Sequence, residues 1–396
     1  MTTDRRNHRD PQSLFNAAPL PIATLNDAER LACVRLIRSD NVGPVTFREL
    51  INHYGGAASA LEALPELAAR GGNKRRIRIT SKSEAERELD RARKAGAKPL
   101  FTIEPGYPPA LASIEAPPPL LYVRGNADIL TRPAVAIVGS RQASAAGHKL
   151  TSQFASGLGE AGYVVVSGLA RGIDAAAHEA ALNSGTVAVV AGGVDIIYPP
   201  ENAALTEAIA KMGAIVSDMP PGFQPRAKDF PRRNRIISGI ALGVLVVEAA
   251  KRSGTLVTAR LASEQGREVF AVPGHPLDPR AEGTNGLLKR GATLVTEPAD
   301  IIEALAPLSG LSPIAAFAEQ HPTQAWQTPP PLPPPLLQDE DRTRVLEALG
   351  PAPVDVDALM RATGLDARGL NVVLMELDLA GRIVRHGAGL LSRTQD

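Results

Sequence analysis

"AVAIVGSRQASAAG", residues 134–147, sets five consecutive apolar residues in front of Gly139 and Ser140. The same shape returns as "YVVVSG" (163–168), "TVAVVAGG" (186–193), "AIVSD" (214–218), "GVLVVEA" (243–249), "EVFAVPG" (268–274) and "ATLV" (292–295). The interval is about 25 residues, the length of a strand, a crossover helix and two turns. Strands that stay apolar without alternation need cover on both faces, so these runs predict a parallel sheet between two helical layers. The intervening segments agree. "SAAGHKLTSQFASGLGEAG" carries apolar residues at helical spacing, and "ENAALTEAIAKMG" opens at Asn202 and closes on Gly213. The fold class is therefore α/β, a doubly wound, mostly parallel sheet.

The flanks read differently. From residue 24 the pattern is helical, and "NVGPVTFRELINHYGGAASAL" (41–61) has a Gly-Pro turn between apolar helices, as in a helix-hairpin-helix. Such a hairpin can hold a DNA phosphate on backbone N–H groups, but a plain αα-hairpin uses the same residues. The stretch 70–98 has eleven Lys and Arg against four acids. A solvated helix face accounts for 84–98, whereas "NKRRIRI" (73–79) is harder to assign that way. At 328–338, "TPPPLPPPLLQ" forbids helix and central strand and favours an extended spacer. Beyond it, three short helix patterns and two strand-like pieces around Gly387 and Gly389 describe a winged helix. Its third helix turns Leu370, Val373, Leu374 and Leu377 inward and carries few basic residues outward, so a protein contact is at least as good an expectation as DNA. The resulting organisation is a disordered tail (1–23), a helical domain (24–100), the α/β domain (101–310), a Pro-rich linker (311–338) and a winged helix (339–396).

Composition narrows the chemistry. The chain has 396 residues, room for two or three domains. A lone cysteine, Cys33, excludes an internal disulfide and a cysteine-based zinc site, which points to a reducing compartment, by default the cytoplasm. The longest apolar run, "ALGVLVV" (241–247), stops at Glu248, short of the roughly 18 residues of a membrane span, and the N-terminus lacks the apolar core of a signal peptide. No membrane association is expected. Net charge is only +1 and aromatics are 4%, so an anion site must come from local clustering and base stacking from single rings.

In open α/β sheets ligands bind beyond the carboxyl ends of the strands. The first such loop offers Gly139, Ser140 and Arg141, and then Ser144 at the start of a helix; the second offers Ser167, Gly168, Arg171 and Gly172. The fifth offers Lys251, Arg252, Ser253, Gly254 and Thr255. Small residues, arginines and helix N-termini make phosphate sites. The P-loop pattern is absent, and the second strand ends at Ser167 and Gly168 where a dinucleotide fold would want an acid for a ribose. Asp174, Asp195 and Glu248 are too scattered for a metal nuclease, and His178 reads as packed. No nucleophile, base and orienting group can be assembled, so no catalytic residue, metal or cofactor is expected. The remaining anion is a polymer backbone. "FPRRNRIISG" (230–239) then reads as a loop whose Arg232, Arg233 and Arg235 extend the charge along a strand path, with Pro231 stiffening it and Asn234 fixing a turn. At least one arginine should pair with Asp229 or Asp218, and Phe230 is either a stacking ring or buried.

At these residues the sequence closely resembles the bacterial DprA/Smf family. The blocks "VAIVGSRQAS", "VSGLARGIDAAAHEAAL", "GTVAVVAGGVDIIYPPEN", "FPRRNRIISG", "SGTLVTARLASEQGREVFAVPG" and "GTNGLLKRGA" follow its pattern in order over about 130–295, with Asp218 where members usually carry Glu. The resemblance implies a Rossmann-like domain that binds single-stranded DNA, forms a homodimer, and helps load the RecA recombinase in natural transformation and recombination. Carried over by block, it implies DNA binding by Arg141, Arg171, Arg232, Arg233, Arg235 and the 251–255 loop. The runner-up is a nucleotide phosphoribohydrolase of the cytokinin-activating type, with a P-G-G-x-G-T-x-x-E loop. Aligned on Gly254 and Thr255, this chain has Lys251 and Arg252 for the glycines and Thr258 for the catalytic Glu.

Overall fold

The computed structural model describes residues 24–72, 76–309, 337–386 and 389–394. The tail 1–23, nearly all of the Pro-rich linker, residues 73–75 of "NKRRIRI" and Gly387 lie outside the described residues.

Four helices lead the chain: α1 (Asp27–Ile37), α2 (Pro44–Tyr54), α3 (Ala57–Arg70) and α4 (Lys82–Lys94). Two of them start on capping boxes, Asn26 with Glu29 and Ser81 with Glu84. Two strands follow, β1 (Ala97–Phe101) and β2 (Leu120–Gly125), with the short α5 (Pro109–Ala112) between them. Each of the seven apolar runs then forms a strand: β3 (Ala134–Val138), β4 (Val164–Ser167), β5 (Thr186–Val189), β6 (Ala214–Ser217), β7 (Gly243–Val246), β8 (Glu268–Ala271) and β9 (Thr293–Leu294). Between and after them come α6 (Ala145–Glu160), α7 (Ile173–Ala181), α8 (Ala203–Met212), α9 (Asp229–Ile240), α10 (Thr255–Glu264), α11 (Glu282–Leu288) and α12 (Pro298–Ser309).

The nine strands form one sheet in the order β1-β2-β6-β5-β4-β3-β7-β8-β9. From β3 to β9 all pairings are parallel, and β2 runs antiparallel to β6 and β1 to β2. The chain winds outward from β3 through β4, β5 and β6, then returns to the other side of β3 with β7. The topological switch point therefore lies between β3 and β7. Alternate residues of one strand feed opposite layers: Val135 and Ile137 pack with Phe154, Leu158, Ile301 and Leu305, whereas Ala136 and Val138 pack with Ile236, Ile237 and Ala259. Both layers are apolar, which is why the strand carries no polar alternation.

Strands β1 and β2 were not legible as strands. Pro99 in "AKPLF" removes a ladder donor, which only an edge position such as that of β1 tolerates. The expected boundary at residue 100 falls inside β1, whose Ala97–Phe101 register against β2 ties the helical domain covalently and by pairing to the sheet. A buried polar contact adds to that tie. Arg38 of the α1 C-cap donates Nε to Glu88 at 3.0 and 3.2 Å, and the Tyr122 hydroxyl on β2 donates to the same carboxylate at 2.5 Å.

After the linker, α13 (Asp339–Ala348), α14 (Val356–Thr363) and α15 (Ala367–Leu379) close on Val345, Leu359, Leu370, Val373, Leu374 and Leu377. With β10 (Val354–Asp355), β11 (Ile383–Arg385) and β12 (Leu390–Arg393) they make the winged helix, its sheet ordered β10-β12-β11. Among the described residues no helix is long and apolar enough to cross a membrane.

The Glu88 contact sets a prediction. Glu88→Ala leaves the half-buried Arg38 without its counter-ion and Tyr122 without an acceptor, and should cost about 3 kcal/mol in urea unfolding. Glu88→Gln, which keeps an acceptor of the same shape, should cost clearly less.

Candidate nucleic-acid interface

Beyond the carboxyl ends of β3, β4 and β5 lies a cavity of about 290 Å³, with Arg141, Gly168, Arg171, Tyr198, Phe230 and Arg233 in its wall. The first two loops are held together by backbone. Ile173 N–H donates to Ser140 O at 3.2 Å, and Gly172 allows the approach, since its φ is +74° and a Cβ there would lie 2.3 Å from that oxygen.

The three arginines of "FPRRNRIISG" stand on α9, not on a loop, which corrects the expectation from sequence. Pro231 sits in the first turn, where its missing N–H is not needed, and Asn234 lies within the helix rather than fixing a turn. A helix separates the three guanidiniums by about 100° per residue, and they accordingly meet different surroundings. Arg233 is buried, with Nη1 donating to Gly168 O at 2.6 Å and also to Val189 O. Burial draws this guanidinium down to about 10, with Asp174 opposing, so it stays a cation at neutral pH. Asp174 is pushed up by burial, against Arg233 and the backbone N–H groups of Ala170 and Gly168. Arg235 is largely covered, donating to Ala116 O at 2.7 Å and lying 3.5 Å from Asp218. Arg232 is 3.5 Å from the same carboxylate but keeps 57% of its side chain exposed. The expected pairing thus goes to Asp218, while Asp229 accepts the Arg226 N–H at 2.8 Å.

The rim is cationic and partly aromatic. Arg141 is exposed and stands 5.8 Å above the Phe230 ring, with no carboxylate within ion-pair distance among the described residues. Phe230 is half-buried and meets Tyr198 at 5.5 Å between centroids, so it is neither free nor lost to the core. Arg171 is exposed and paired with Glu201 at 2.5 Å. Tyr198, 49% exposed, and Gln142 belong to the cavity wall but were not singled out from sequence. The available signal was a lone aromatic ring, set before Pro199 and Pro200 in the loop after "VAVVAGG".

The switch point itself is filled. Glu248, just past β7, accepts the Ser144 N–H at 3.0 Å and the Ser144 hydroxyl at 2.5 Å, placing its carboxylate at the N-terminus of α6. That is where a dinucleotide fold puts a pyrophosphate. Thr255 Oγ1 donates to Gly139 O at 3.0 Å and Ser253 Oγ to Thr255 Oγ1 at 3.0 Å, so this side of β3 is closed by its own side chains. Lys251 and Arg252 remain exposed there, across β3 from the cavity. Ser167 is wholly buried, its hydroxyl donating to Ile137 O. Gly168 has no space for a side chain, since a Cβ would lie 2.5 Å from Arg233 Nη1. His178 is packed as expected; it is fully buried against Thr186 Oγ1 at 2.7 Å, and burial lowers it to about 3. Thr258, at the glutamate position of the phosphoribohydrolase pattern, is a buried helical threonine with no titrating group.

The burial contrast predicts a stability contrast. Arg233→Ala leaves two carbonyls without their donor and the buried Asp174 without its counter-charge, and should lower urea stability by about 3 kcal/mol. Arg232→Ala, at an exposed position, should change it by no more than about 0.5 kcal/mol.

Comparison with known proteins agrees with this architecture. The family model for DNA recombination-mediator protein A matches residues 98–306, a DprA-like N-terminal HHH domain matches 27–91, and a DprA winged helix domain matches 327–389. The chain is 42% identical to Protein Smf of Escherichia coli over 280 residues, which is 70% of this chain and 72% of that protein. It is 32% identical to Protein Smf of Synechocystis over 370 residues, covering 86% and 93% of the two chains. The crystal structure of DNA processing protein A from Streptococcus pneumoniae superposes with a TM-score of 0.53 at 40% identity, over 57% of this chain and 78% of that one. By its domain order, its sheet and these matches, the chain belongs to the DprA/Smf family of DNA recombination-mediator proteins.

Proposed function

We propose that this protein binds single-stranded DNA by its phosphate backbone along the rim of the β3–β5 cavity, and as a homodimer in the cytoplasm delivers the strand to RecA. The observation that carries the reading is Arg141, an exposed guanidinium over the Phe230 ring at the cavity mouth, without a carboxylate partner among the described residues. Arg171 is exposed in the same cavity wall, and its contact with Glu201 is a surface pair of the kind that a phosphate displaces at little cost, while exposed Arg232 shares the buried Asp218 with Arg235 and can leave it to that partner. Phe230 and Tyr198 supply a stacking surface for a base, which a duplex keeps inside its own stack. Buried Arg233 and largely covered Arg235 serve this site by holding its walls. The carboxylate of Glu248 at the α6 N-terminus argues against a mononucleotide or dinucleotide as the ligand. RecA delivery, dimer formation and cytoplasmic location rest on the family resemblance.

Titration of labelled oligo-dT by fluorescence anisotropy across a salt series tests the binding. Affinity should fall with salt by a slope of about −0.7 per phosphate contacted, and Arg141→Ala and Arg232→Ala should each remove about one such contact. Equal slopes in wild type and both variants would place the strand elsewhere. RecA filament growth on the same oligonucleotide should start faster with wild-type protein, and no acceleration would overturn the delivery step alone.

A further inference from the structure

A winged helix that reads duplex DNA presents two elements to it, the third helix in the major groove and the wing on the backbone. Here both are engaged by the N-terminal half of the same chain. Helix α15 is buried on two sides. Leu370, Val373, Leu374 and Leu377 fill the module's own core, while Met375 and Leu379 join the apolar cluster of Phe47, Leu50, Leu64 and Ala68 on α2 and α3. Met375 is 1% and Leu379 0% exposed. The contact is also specific in its hydrogen bonds. Asn41, held at φ +59° in the turn before α2, donates Nδ2 to Leu379 O at 2.8 Å, and Thr46 Oγ1 donates to Asp378 Oδ2 at 2.6 Å. The Gly-Pro hairpin that the sequence offered as a phosphate cradle is thus taken by this helix. At the wing, Gly389 N–H donates to Glu115 Oε1 at 2.7 Å.

The chemistry of the covered face is wrong for DNA. A groove-reading helix carries cations and amides toward phosphates and base edges. On the side of α15 that meets the N-terminal helices stand Val372, Met375, Glu376, Asp378 and Leu379, apolar or acidic, with one cation, Arg368 near His53, at its N-terminal end. Glu376 is fully buried and held by Arg342 in a bidentate pair, Nε to Oε2 at 2.7 Å and Nη2 to Oε1 at 3.0 Å, so its charge is fixed within the contact.

We propose that the third helix of the winged-helix module is a protein-docking helix whose partner is the N-terminal helical module of its own chain. The module is a clasp that joins the two ends of the protein across the α/β domain. It is not a reader of duplex DNA.

Gly71 gives the test. It follows α3 with φ −69°, a conformation that any residue adopts, yet a Cβ there would lie 2.0 Å from Glu376 O and 2.8 Å from Ala380 Cβ. Gly71→Ala therefore suits its own helix end and is incompatible with the clasp. Hydrogen exchange on the full-length protein should show the 372–381 segment protected in wild type and exchanging about 100-fold faster in Gly71→Ala, with the sheet unchanged. Duplex affinity, read by anisotropy with a labelled 30-mer of about three helical turns, should stay within about twofold of wild type, because the freed face is mainly apolar or acidic and a single arginine makes about one phosphate contact. Should Gly71→Ala disturb the N-terminal helices themselves, Thr46→Val, which removes only the bond to Asp378, should give about tenfold faster exchange in the same segment. Identical exchange in wild type and both variants would overturn the clasp. Protection that fades on dilution would make the partner a second copy. A duplex affinity about tenfold higher in Gly71→Ala, and lost again with Arg368→Ala and Asn371→Ala, would make the helix a masked duplex reader.

Discussion

A guanidinium buried at a sheet edge needs acceptors and a counter-charge, and the cavity of this protein is built around one that has both, with its Nε left without a hydrogen-bond partner among the described residues. Arg233 reaches from α9 to the carbonyl of Gly168, just past β4, and to that of Val189, the last of β5, with Asp174 as its counter-charge. Its ring neighbour Phe230, 5.9 Å away, is thereby set at the cavity mouth beneath Arg141. Gly168 must lack a side chain for this to happen. The small residues of the "VSGLARG" loop are in this sense a consequence of the buried cation as much as a device for approaching a ligand.

The same economy explains why the ligand crevice is displaced. A doubly wound sheet ordinarily opens at its switch point, here between β3 and β7. In this chain the Glu248 carboxylate supplies the negative charge that the α6 N-terminus attracts, and Thr255 closes on Gly139. The open space lies instead over β3, β4 and β5, rimmed by guanidiniums rather than by a single phosphate cradle. A rim of separated charges suits an extended polyanion better than a compact one.

With 43 Lys and Arg against 42 Asp and Glu, many arginines in this protein act as fasteners. Arg38 with Glu88 and Tyr122 pins the helical domain to β2, Arg233 pins α9 to the sheet, and Arg342 with Glu376 stiffens the helix that meets the N-terminal module. Each joins elements far apart in sequence. Such pairs add little net stability over apolar packing, but removing one partner strands the other, so they enforce one arrangement of the domains.

The seven apolar runs determined the parallel sheet by themselves, because a strand covered on both faces cannot alternate and a crossover has a minimum length. The winged helix and the family blocks were equally legible, being local in sequence. Strands β1 and β2 were not, since β2 takes its pairing from β6, nearly one hundred residues onward, and β1 from β2, rather than from their own pattern. The site divides in the same way. That arginines and small residues gather at the strand ends could be read from the chain, but which arginine meets solvent could not. "PRRNR" was read as a loop and is a helix, and the helical turn sends Arg232 outward, Arg233 into the sheet and Arg235 onto Ala116 and Asp218. Residue type fixed the charge. Only the tertiary structure, by bringing carbonyls and carboxylates from distant segments to each guanidinium, decided which charges hold the fold and which remain for a ligand.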